Sequence, residues 1–351
     1  MQGTVVYTLQ FRAPLHIGER GIGQEQTRDY VPADTLFSAL CTMWSLLYGI
    51  QSLANDLLAR YGDSGREPLF LTSAFPFAGE VRFYPKPLRP PDSTPEFAKR
   101  EFAKRWKSIR WVSERVFQAY LNGEPIALEP ANNMPNGARR LLLQDGAVLI
   151  HPDEWQALQQ FWDYEADDLR VYRTAVVPRV TLDRVSNASQ IWHFGEVHFS
   201  SGCGLWFAVQ FGEVRFQKQF EACLRVLGDT GLGGERNTGR GLFCFERSEW
   251  TLREPSNPRA FITLSPWVPA TQEQRDWLRA DGSAYELTLK RGWLGSPAVN
   301  NLRRKEVWMV REGSVIAHPP EFRIGQLVDL APEMSPHPAY RYGYAFPVGV
   351  K

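Results

Sequence analysis

The stretch Gly231-Leu-Gly-Gly-Glu-Arg-Asn-Thr-Gly-Arg-Gly241 places five glycines around two arginines. It follows an apolar, helix-periodic segment, Phe216–Leu227, and precedes the strand-like segment Leu242–Phe245. Glycines let a backbone take positive φ and approach a ligand closely, so that several N–H groups can turn toward an anion. Guanidinium groups offer forked donors that suit phosphate oxygens. The stretch therefore predicts a phosphate-binding loop between a helix and a strand.

The order of elements around this loop excludes two familiar nucleotide loops. Dinucleotide fingerprints and Walker loops run from strand to glycines to helix, and they hold the phosphate at the helix N-terminus. Here a helix comes first and a strand last, and no Gly-Lys-Ser/Thr ending is present. Nucleotide hydrolysis is therefore disfavoured, and the backbone of a polynucleotide fits better. The alternative is a helix C-cap at Gly228 or Gly231 followed by a simple connector.

Before the helix that leads into the loop, the pattern predicts a strand, a helix and two hairpins. The strand is Thr4–Phe11, and the helix starts at Asp34, as its N-cap, and stops at Gly49. The first hairpin joins Leu69–Phe77 to Val81–Tyr84, and the second joins Trp192–Phe199 to Leu205–Phe211 through a Gly-containing turn; a further strand is expected at Val176–Leu182. With the loop's helix and strand, we interpret this order as a βαββαβ unit with an elaborated middle, that of a ferredoxin-like or RNA-recognition fold.

A proline cluster at Pro85–Pro91 opens an insertion, predicted at about residues 92–170, in the middle of this unit. Within it, Glu96–Leu121 has a helical pattern with many basic residues: Lys99, Arg100, Lys104, Arg105, Lys107, Arg110 and Arg115. Such a helix can contact nucleic-acid phosphates or can be a solvated face, because glutamates are interleaved with the cations. The sequence leaves both possibilities open.

The rest of the chain predicts a second unit after Glu254-Pro-Ser-Asn-Pro258. Its expected elements are a strand at Phe261–Leu264, a helix at Thr271–Arg279, paired strands at Tyr285–Lys290 and Glu306–Val310, and later strands at Gln326–Leu330 and Tyr340–Val348. We expect an α+β protein with two ferredoxin-like units. The first spans residues 1–250, with the insertion and the glycine-rich loop between its second helix and last strand, and the second, degenerate unit spans residues 259–351.

Composition excludes several classes of protein. Forty Lys and Arg against 39 Asp and Glu leave a net charge of +1, so that any polyanion site must be a local patch. The four cysteines form no CxxC pair, which predicts buried reduced thiols, and neither a metal site nor a cofactor is expected. No signal peptide and no membrane-spanning run is recognisable, which favours a cytoplasmic protein.

Several stretches in a fixed order carry a resemblance to a known family. They are Pro14-Leu-His-Ile-Gly18, Asp34-Thr-Leu-Phe-Ser-Ala-Leu40, Pro85-Lys-Pro-Leu88, Arg179-Val-Thr-Leu-Asp-Arg184, the glycine loop, Glu312-Gly-Ser314 and His337-Pro-Ala-Tyr-Arg-Tyr-Gly-Tyr-Ala-Phe346. With these motifs the chain resembles the RAMP superfamily of CRISPR proteins and, more narrowly, the fourth-subunit family of the type III-A Csm effector complex. The glycine loop is typical of the superfamily as a whole. The Pro-Lys-Pro, Glu-Gly-Ser and Tyr-Arg-Tyr-Gly elements narrow the resemblance to the fourth-subunit family.

The resemblance implies a non-catalytic subunit that binds the repeat-derived 5′ end, or 5′ handle, of the crRNA. It also implies two protein partners: the large subunit with polymerase/cyclase-type domains, and the first backbone RAMP subunit. The residues expected to contact RNA are His16, Gly18, Arg179, Arg184, Gly231, Gly233, Gly234, Arg236, Asn237, Thr238, Gly239, Arg240 and Gly241.

Three of these expectations have alternatives. Arg179 shares a strand face with Thr181 and Asp183, so an ion pair between Asp183 and an arginine competes with RNA contact. His16 allows a metal-independent endoribonuclease that cuts the CRISPR transcript, but no His–Lys cluster near it supplies the acid–base partner. A mononucleotide enzyme that uses the glycine loop is the third possibility.

Overall fold

The computed structural model describes residues 3–18, 26–62, 65–91, 100–128, 141–159, 170–183, 185, 188–294 and 302–351. The N-terminal part centres on one large sheet. Its strands are β1 (Val5–Phe11), β2 (Leu69–Leu71), β3 (Phe75–Ala78), β4 (Val81–Pro85), β5 (Trp111–Ser113), β6 (Leu142–Leu143), β7 (Val148–Leu149), β10 (Cys203–Phe211) and β11 (Phe243–Glu249); β8 (Tyr172–Leu182) and β9 (Ser189–Phe199) pair separately.

The sheet runs in the order β11-β1-β10-β3-β4-β5-β7-β6, and β2 also pairs with β10. The first strand lies centrally because its alternating residues are buried, and it pairs antiparallel with both β10 and β11. The expected hairpin of β3 and β4 is confirmed, although the first of its two runs is broken into β2 and β3.

Two long helices flank the central strands. Helix α1 (Ala33–Tyr48) packs against α6 (Val214–Thr230), and α6 also contacts β10 and β11. The predicted stop of α1 at Gly49 is confirmed, since this residue has φ of 85° at the helix end. A short helix, α2 (Ile50–Ser52), continues into further helical turns as far as Gly62.

The prediction that Asp34 caps α1 is wrong. Pro32 is the N-cap residue, and the backbone N–H of Ala33 donates instead to Ser73 Oγ at 2.8 Å. Asp34 is therefore free to turn into the interior, where it accepts from Lys290 Nζ at 2.9 Å and from Arg341.

The single basic helix expected at Glu96–Leu121 is also wrong in the part that the structure describes. The segment forms α3 (Arg100–Ser108), strand β5 and α4 (Glu114–Asn122); residues 96–99 lie outside the described residues. The three residues of β5 are all buried and pair with Phe83–Pro85 and with Val148 and Leu149, so tertiary pairing overrides helical periodicity there. Helix α5 (Trp155–Gln159) follows β7, and the insertion thus extends the sheet.

The second hairpin has a different partner from the one expected. Strand β9 pairs along its whole length with β8, while β10 pairs with β1, β2 and β3. The turn after β9 therefore leads from one sheet into another. Strand β10 is almost wholly buried, and the central position of the large sheet is the one that buries it.

The C-terminal part contains α7 (Gln272–Trp277) and seven strands among its described residues: β12 (Ala260–Thr263), β13 (Leu287–Lys290), β14 (Val307–Val310), β15 (Val315–Ile316), β16 (Gly325–Asp329), β17 (Tyr340–Tyr344) and β18 (Pro347–Val350). The expected pairing of β13 with β14 is confirmed. The described strands pair as β15-β12-β18, β13-β14 and β16-β17, so the expected last strand is divided into β17 and β18.

One apolar core joins the two parts of the chain. The cluster that holds Tyr7 and Phe207 of the large sheet also includes Ile262, Tyr342 and Val348 of the C-terminal strands. Across this boundary the Tyr342 hydroxyl accepts from the backbone N–H of Leu71 at 3.1 Å. No helix among the described residues is long and apolar enough to cross a membrane.

Candidate nucleic-acid interface

The glycine loop leaves the end of α6 and is closed at its neck by backbone hydrogen bonds. The N–H of Gly231 donates to Leu227 O at 2.8 Å and ends the helix. Leu232 is fully buried, and its N–H donates to Gly241 O at 2.9 Å. Gly241 in turn donates to Pro14 O at 2.8 Å. The loop is therefore anchored to the core and to the segment before His16.

The anchoring contacts require glycine at positions 233 and 241, as they do at Gly231, where a Cβ atom would lie 2.3 Å from Arg240 O. Gly241 has φ of +71°, and a Cβ atom there would lie 2.0 Å from Leu232 O. Gly233 has φ of +94°, and its Cβ would lie 2.2 Å from His16 O. Both contacts are far below van der Waals distance, so any side chain at these positions would open the neck.

The tip of the loop is a single helical turn, Arg236–Thr238, that points into solvent. Glu235 before it and Gly239 after it both have left-handed backbone angles, with φ of 54° and 78°. The side chains of Arg236, Asn237 and Thr238 are exposed. The first N–H groups of such a turn have no intrahelical acceptor, and they are suited to an anion. Arg236 makes no ion pair among the residues that the structure describes.

A buried carboxylate on β9 holds the second arginine of the loop. Glu196 is 2% exposed and accepts from Arg240 Nε at 2.7 Å. The same carboxylate lies 3.5 Å from Arg179 Nη2 on β8 and 3.2 Å from His198 Nε2 on β9. These contacts leave Arg179 and Arg240 on one side of the hairpin, next to the loop, with more positive charge than the carboxylate neutralises.

Glu196 and His198 were not predicted from the sequence. The signal was the alternation of Trp192, Phe194, Glu196 and His198, which places a carboxylate on the inward face of a strand. The alternative partner expected for an arginine was Asp183. Its Oδ1 accepts from the backbone N–H of Val185 at 2.7 Å, and an ion pair with Arg184 stays a prediction because Arg184 lies outside the described residues.

His16 lies beneath the loop and is 7% exposed. Its ring packs on Phe194, with centroids 4.2 Å apart, and Nδ1 lies 2.7 Å from Gly195 O. Because a carbonyl can only accept, Nδ1 carries the proton in this contact. Main-chain contacts fix this segment as well, since the N–H of Gly234 donates to His16 O at 2.9 Å. A Cβ atom on Gly18 would lie 3.5 Å from Nε2.

The structure thus brings most of the predicted residues together. The loop, His16, Gly18 and Arg179 meet around the base of the β8–β9 hairpin. Arg184 lies outside the described residues. No group of three or more histidine, cysteine or acidic side chains within the described residues could hold a metal ion.

In the described part of the insertion, basic residues that include Arg110 and Arg115 have acidic partners. Arg110 Nη2 donates to Asp29 Oδ1 at 2.7 Å, and Arg115 Nη1 donates to Asp153 Oδ2 at 2.7 Å. Lys107 on α3 is exposed and makes no hydrogen bond or ion pair with the rest of the described chain. The basic character of this segment is therefore partly neutralised within the protein.

Comparison with known proteins gives matches along nearly the whole chain. Residues 8–244 match the RAMP superfamily, and residues 256–350 match the CRISPR Csm4 C-terminal domain. A Csm4 protein of Thermococcus onnurineus is 27% identical over 338 residues, which cover 96% of this chain and 98% of that protein. A Csm4 protein of Mycobacterium tuberculosis is 25% identical over 332 residues, covering 93% of this chain and 91% of its own length.

Solved structures share the fold at lower identity. The Csm3–Csm4 subcomplex of the type III-A CRISPR–Cas interference complex contains a chain that is 17% identical, with a TM-score of 0.67 and complete coverage of both chains. A Csm1–Csm4 cassette in complex with cA4 contains one that is 21% identical, with a TM-score of 0.59, covering 99% of this chain and 98% of that chain. Since the superfamily match alone spans more than half of the sequence, the chain belongs to the RAMP superfamily.

Proposed function

We propose that this chain is the non-catalytic crRNA-binding subunit of a type III-A CRISPR interference complex, and that its glycine loop holds the 5′ handle of the crRNA. The observation that carries the proposal is the geometry of the loop tip. Exposed Arg236, Asn237 and Thr238 stand beside Arg240, which Glu196 holds in place. A rigid cationic turn of this kind suits an extended phosphate backbone.

The whole predicted set of contact residues belongs to this proposal. Gly231, Gly233, Gly234, Gly239 and Gly241 shape the loop, and His16 and Gly18 form its floor. Arg179 contributes a guanidinium from the neighbouring hairpin.

The surroundings of His16 support a binding role over a catalytic one. Its ring is buried against Phe194, and its Nδ1 proton is engaged by Gly195 O. A general base for RNA cleavage needs access to the attacking hydroxyl and a second group to protonate the leaving oxygen. Incubating the purified protein with repeat RNA in EDTA tests the endoribonuclease alternative, because cleavage that His16→Ala abolishes would contradict our proposal.

A finer description of the fold accompanies the function. We propose that the N-terminal unit, residues 1–250, is an elaborated ferredoxin-like unit and that residues 259–351 form a degenerate second one. The central order β11-β1-β10-β3 supports the first unit, because it is the 4-1-3-2 order of a βαββαβ sheet. The insertion then adds β5, β7 and β6 beyond its edge.

The proposed partners are the large polymerase/cyclase-type subunit and the backbone RAMP subunit. The relatives of known structure are found in complexes with Csm1 and with Csm3. A feature of this chain supports assembly with other proteins: the β8–β9 face opposite Arg179 exposes Val176, Val180 and Ile191, of which Ile191 is 66% exposed. Clustered exposed apolar side chains are typical of interaction surfaces.

RNA binding across a salt series tests the role of the loop. The Arg236→Ala/Arg240→Ala variant is compared with the wild type and with a control of equal charge change, Arg275→Ala/Arg279→Ala, in the C-terminal part. On single strands each phosphate contact contributes about 0.7 to the slope of log K against log salt. We expect the loop variant to lower the slope by about 0.7 to 1.4 and the control to leave it unchanged. Equal slopes for all three proteins would reduce the loop to a connector.

A further inference from the structure

A cavity of about 190 Å³ lies where the N-terminal sheet meets the C-terminal strands. Its walls include Lys86 of the Pro85–Leu88 motif and Glu312 of the Glu-Gly-Ser motif, together with Lys107, Arg110 and Arg311. Neither motif contributes to the glycine-loop site. A cavity of ~150 Å³ accepts benzene in an engineered protein, so this one has room for a phosphate group.

Main-chain contacts fix the walls of this cavity. The N–H of Leu88 donates to Gly313 O at 2.9 Å, and the N–H of Lys86 donates to Arg110 O at 3.0 Å. Gly313 has φ of +84°, and a Cβ atom there would lie 2.6 Å from Lys86 O. The two motifs can therefore approach this closely only because residue 313 is glycine.

The charge that lines the cavity is predominantly positive. Four cationic side chains and two carboxylates line it. Arg311 pairs with Glu286 and Arg110 pairs with Asp29, so the excess positive charge lies on Lys86 and Lys107. Glu312 accepts from Ser73 Oγ at 2.5 Å and from the Tyr30 hydroxyl at 3.4 Å, while Glu286 accepts from Arg311 Nη1 at 2.6 Å.

The lysines retain unused donors. Lys86 Nζ donates one hydrogen bond, to Trp106 O at 2.9 Å, and Lys107 donates none within the described residues. Burial lowers the pKa of Lys86, and the like charges of Arg311 and Lys107 lower it further against the opposing effect of Glu286. An anion in the cavity would relieve this repulsion and complete the hydrogen bonding of both lysines.

We propose that this cavity is a second anion site, which binds a phosphate group through Lys86 and Lys107 with Arg110 and Arg311 at its sides. The phosphate can belong to an RNA backbone or to a free ligand. The RNA source is favoured by position, because the N–H of Arg28 donates to Ile17 O, beside the glycine loop, at 3.0 Å. Tyr30 on the cavity wall is only two residues further, which is within about 7 Å along the chain.

The test uses the full chain, with Lys86→Gln/Lys107→Gln as the variant and Lys218→Gln/Lys305→Gln as a control with the same loss of charge at exposed positions elsewhere. One measurement is the salt series for labelled single-stranded RNA. Another is calorimetric titration with inorganic pyrophosphate. Lys107→Gln alone is included because its side chain is exposed and without a described partner, so that it retains the fold even if the Lys86 change does not.

If an RNA phosphate occupies the cavity, the double variant lowers the salt slope by about 0.7 and weakens binding about fivefold at 0.1 M salt, and the control does neither. If a free phosphate is the ligand, the RNA curves coincide, while pyrophosphate binds the wild type saturably and the variant about tenfold more weakly, equivalent to ~1.4 kcal/mol. If neither RNA nor pyrophosphate distinguishes the variant from the control, the proposal is wrong.

The RNA reading rests on the proposed function, and the pyrophosphate titration does not. A wild-type chain that binds no RNA but binds pyrophosphate in a Lys107-dependent manner would remove the proposed function and keep the cavity site. The opposite result would be a chain that binds no pyrophosphate and whose RNA binding depends on Arg236 and Arg240 but not on the two lysines. That result would remove the cavity site and keep the proposed function.

Discussion

Replacing Asp34 with asparagine tests the buried ion cluster that joins α1 to the C-terminal strands. Asp34 is 1% exposed, and its carboxylate binds Lys290 of β13 and Arg341 of β17. Removing one partner of a buried pair leaves charge without compensation, which typically costs ~3–5 kcal/mol. We expect Asp34→Asn to lower the free energy of unfolding by about that amount, because two cations are left in the interior.

The same carboxylate gives the cluster a pH signature. Burial alone would raise the pKa of Asp34, but Lys290 and Arg341 outweigh burial and lower the pKa from 3.8 to about 2. A carboxyl whose folded pKa lies below its unfolded pKa adds stability above the unfolded value and loses it as the pH falls through the folded value. At about 1.4 kcal/mol per unit the contribution is ~2–3 kcal/mol at neutral pH, and most of it is lost between pH 4 and pH 2.

Urea unfolding of the wild type and of Asp34→Asn, measured from neutral pH downward, checks both numbers. The stability difference between the two proteins should be constant above about pH 4 and shrink below it. Asp276→Asn is the control, because Asp276 pairs with Arg279 at 3.0 Å on the surface, where the two side chains are 56% and 75% exposed. That change should cost less than ~1 kcal/mol. Two results would refute the reasoning: an Asp34→Asn variant that loses no more stability than Asp276→Asn, or a stability difference from the wild type that does not change with pH.

Three further predictions concern the loop and the thiols. Glu196→Gln should lower the free energy of unfolding in urea by ~1–3 kcal/mol. The cost stays in this range because the two arginines that Glu196 binds are half-buried and can turn to water. An unchanged unfolding midpoint would contradict the role of Glu196 in holding these arginines. Gly233→Ala should lower the melting temperature more than Gly239→Ala, because both have positive φ but only the first would clash, at 2.2 Å from a carbonyl oxygen; the reverse ranking in calorimetry would count against the loop geometry. The prediction of buried thiols is wrong for Cys244, which is exposed. Iodoacetamide at pH 8 should label Cys244 in the native protein and spare Cys223, whose pKa burial raises to about 12; equal labelling in peptide mass spectrometry would contradict this burial.

Elements with a strong local pattern could be predicted from the sequence. The glycine loop lies between α6 and β11 because an amphipathic helix, a Gly stop and an alternating strand each have a local signature. The pairing of β13 with β14 was predictable for the same reason. His16 could be placed near the loop only through the family resemblance, since no local rule relates residues so distant in the chain.

The errors arise where distant residues decide the local structure. Trp111–Ser113 reads as part of a helix until β4 and β7 are available to pair with it. Asp34 reads as a cap until Ser73, on another segment, takes over the first N–H of the helix. Glu196 becomes significant only once β8 and the loop bring Arg179 and Arg240 to the same carboxylate. Each of these features depends on a contact that no window of sequence contains.

The closed neck of the glycine loop also bears on how fast the protein can bind. Because Leu232, Gly241 and Pro14 are already joined by backbone hydrogen bonds, the tip takes its shape during folding and not during binding. Ordering a free loop would cost ~1–2 kcal/mol for each residue fixed, and here that entropy is lost before any ligand arrives. Association should therefore proceed at the rate of electrostatically steered encounter, without a slow rearrangement step. A substitution that destabilises the neck should lower the association rate constant more than it raises the dissociation rate constant.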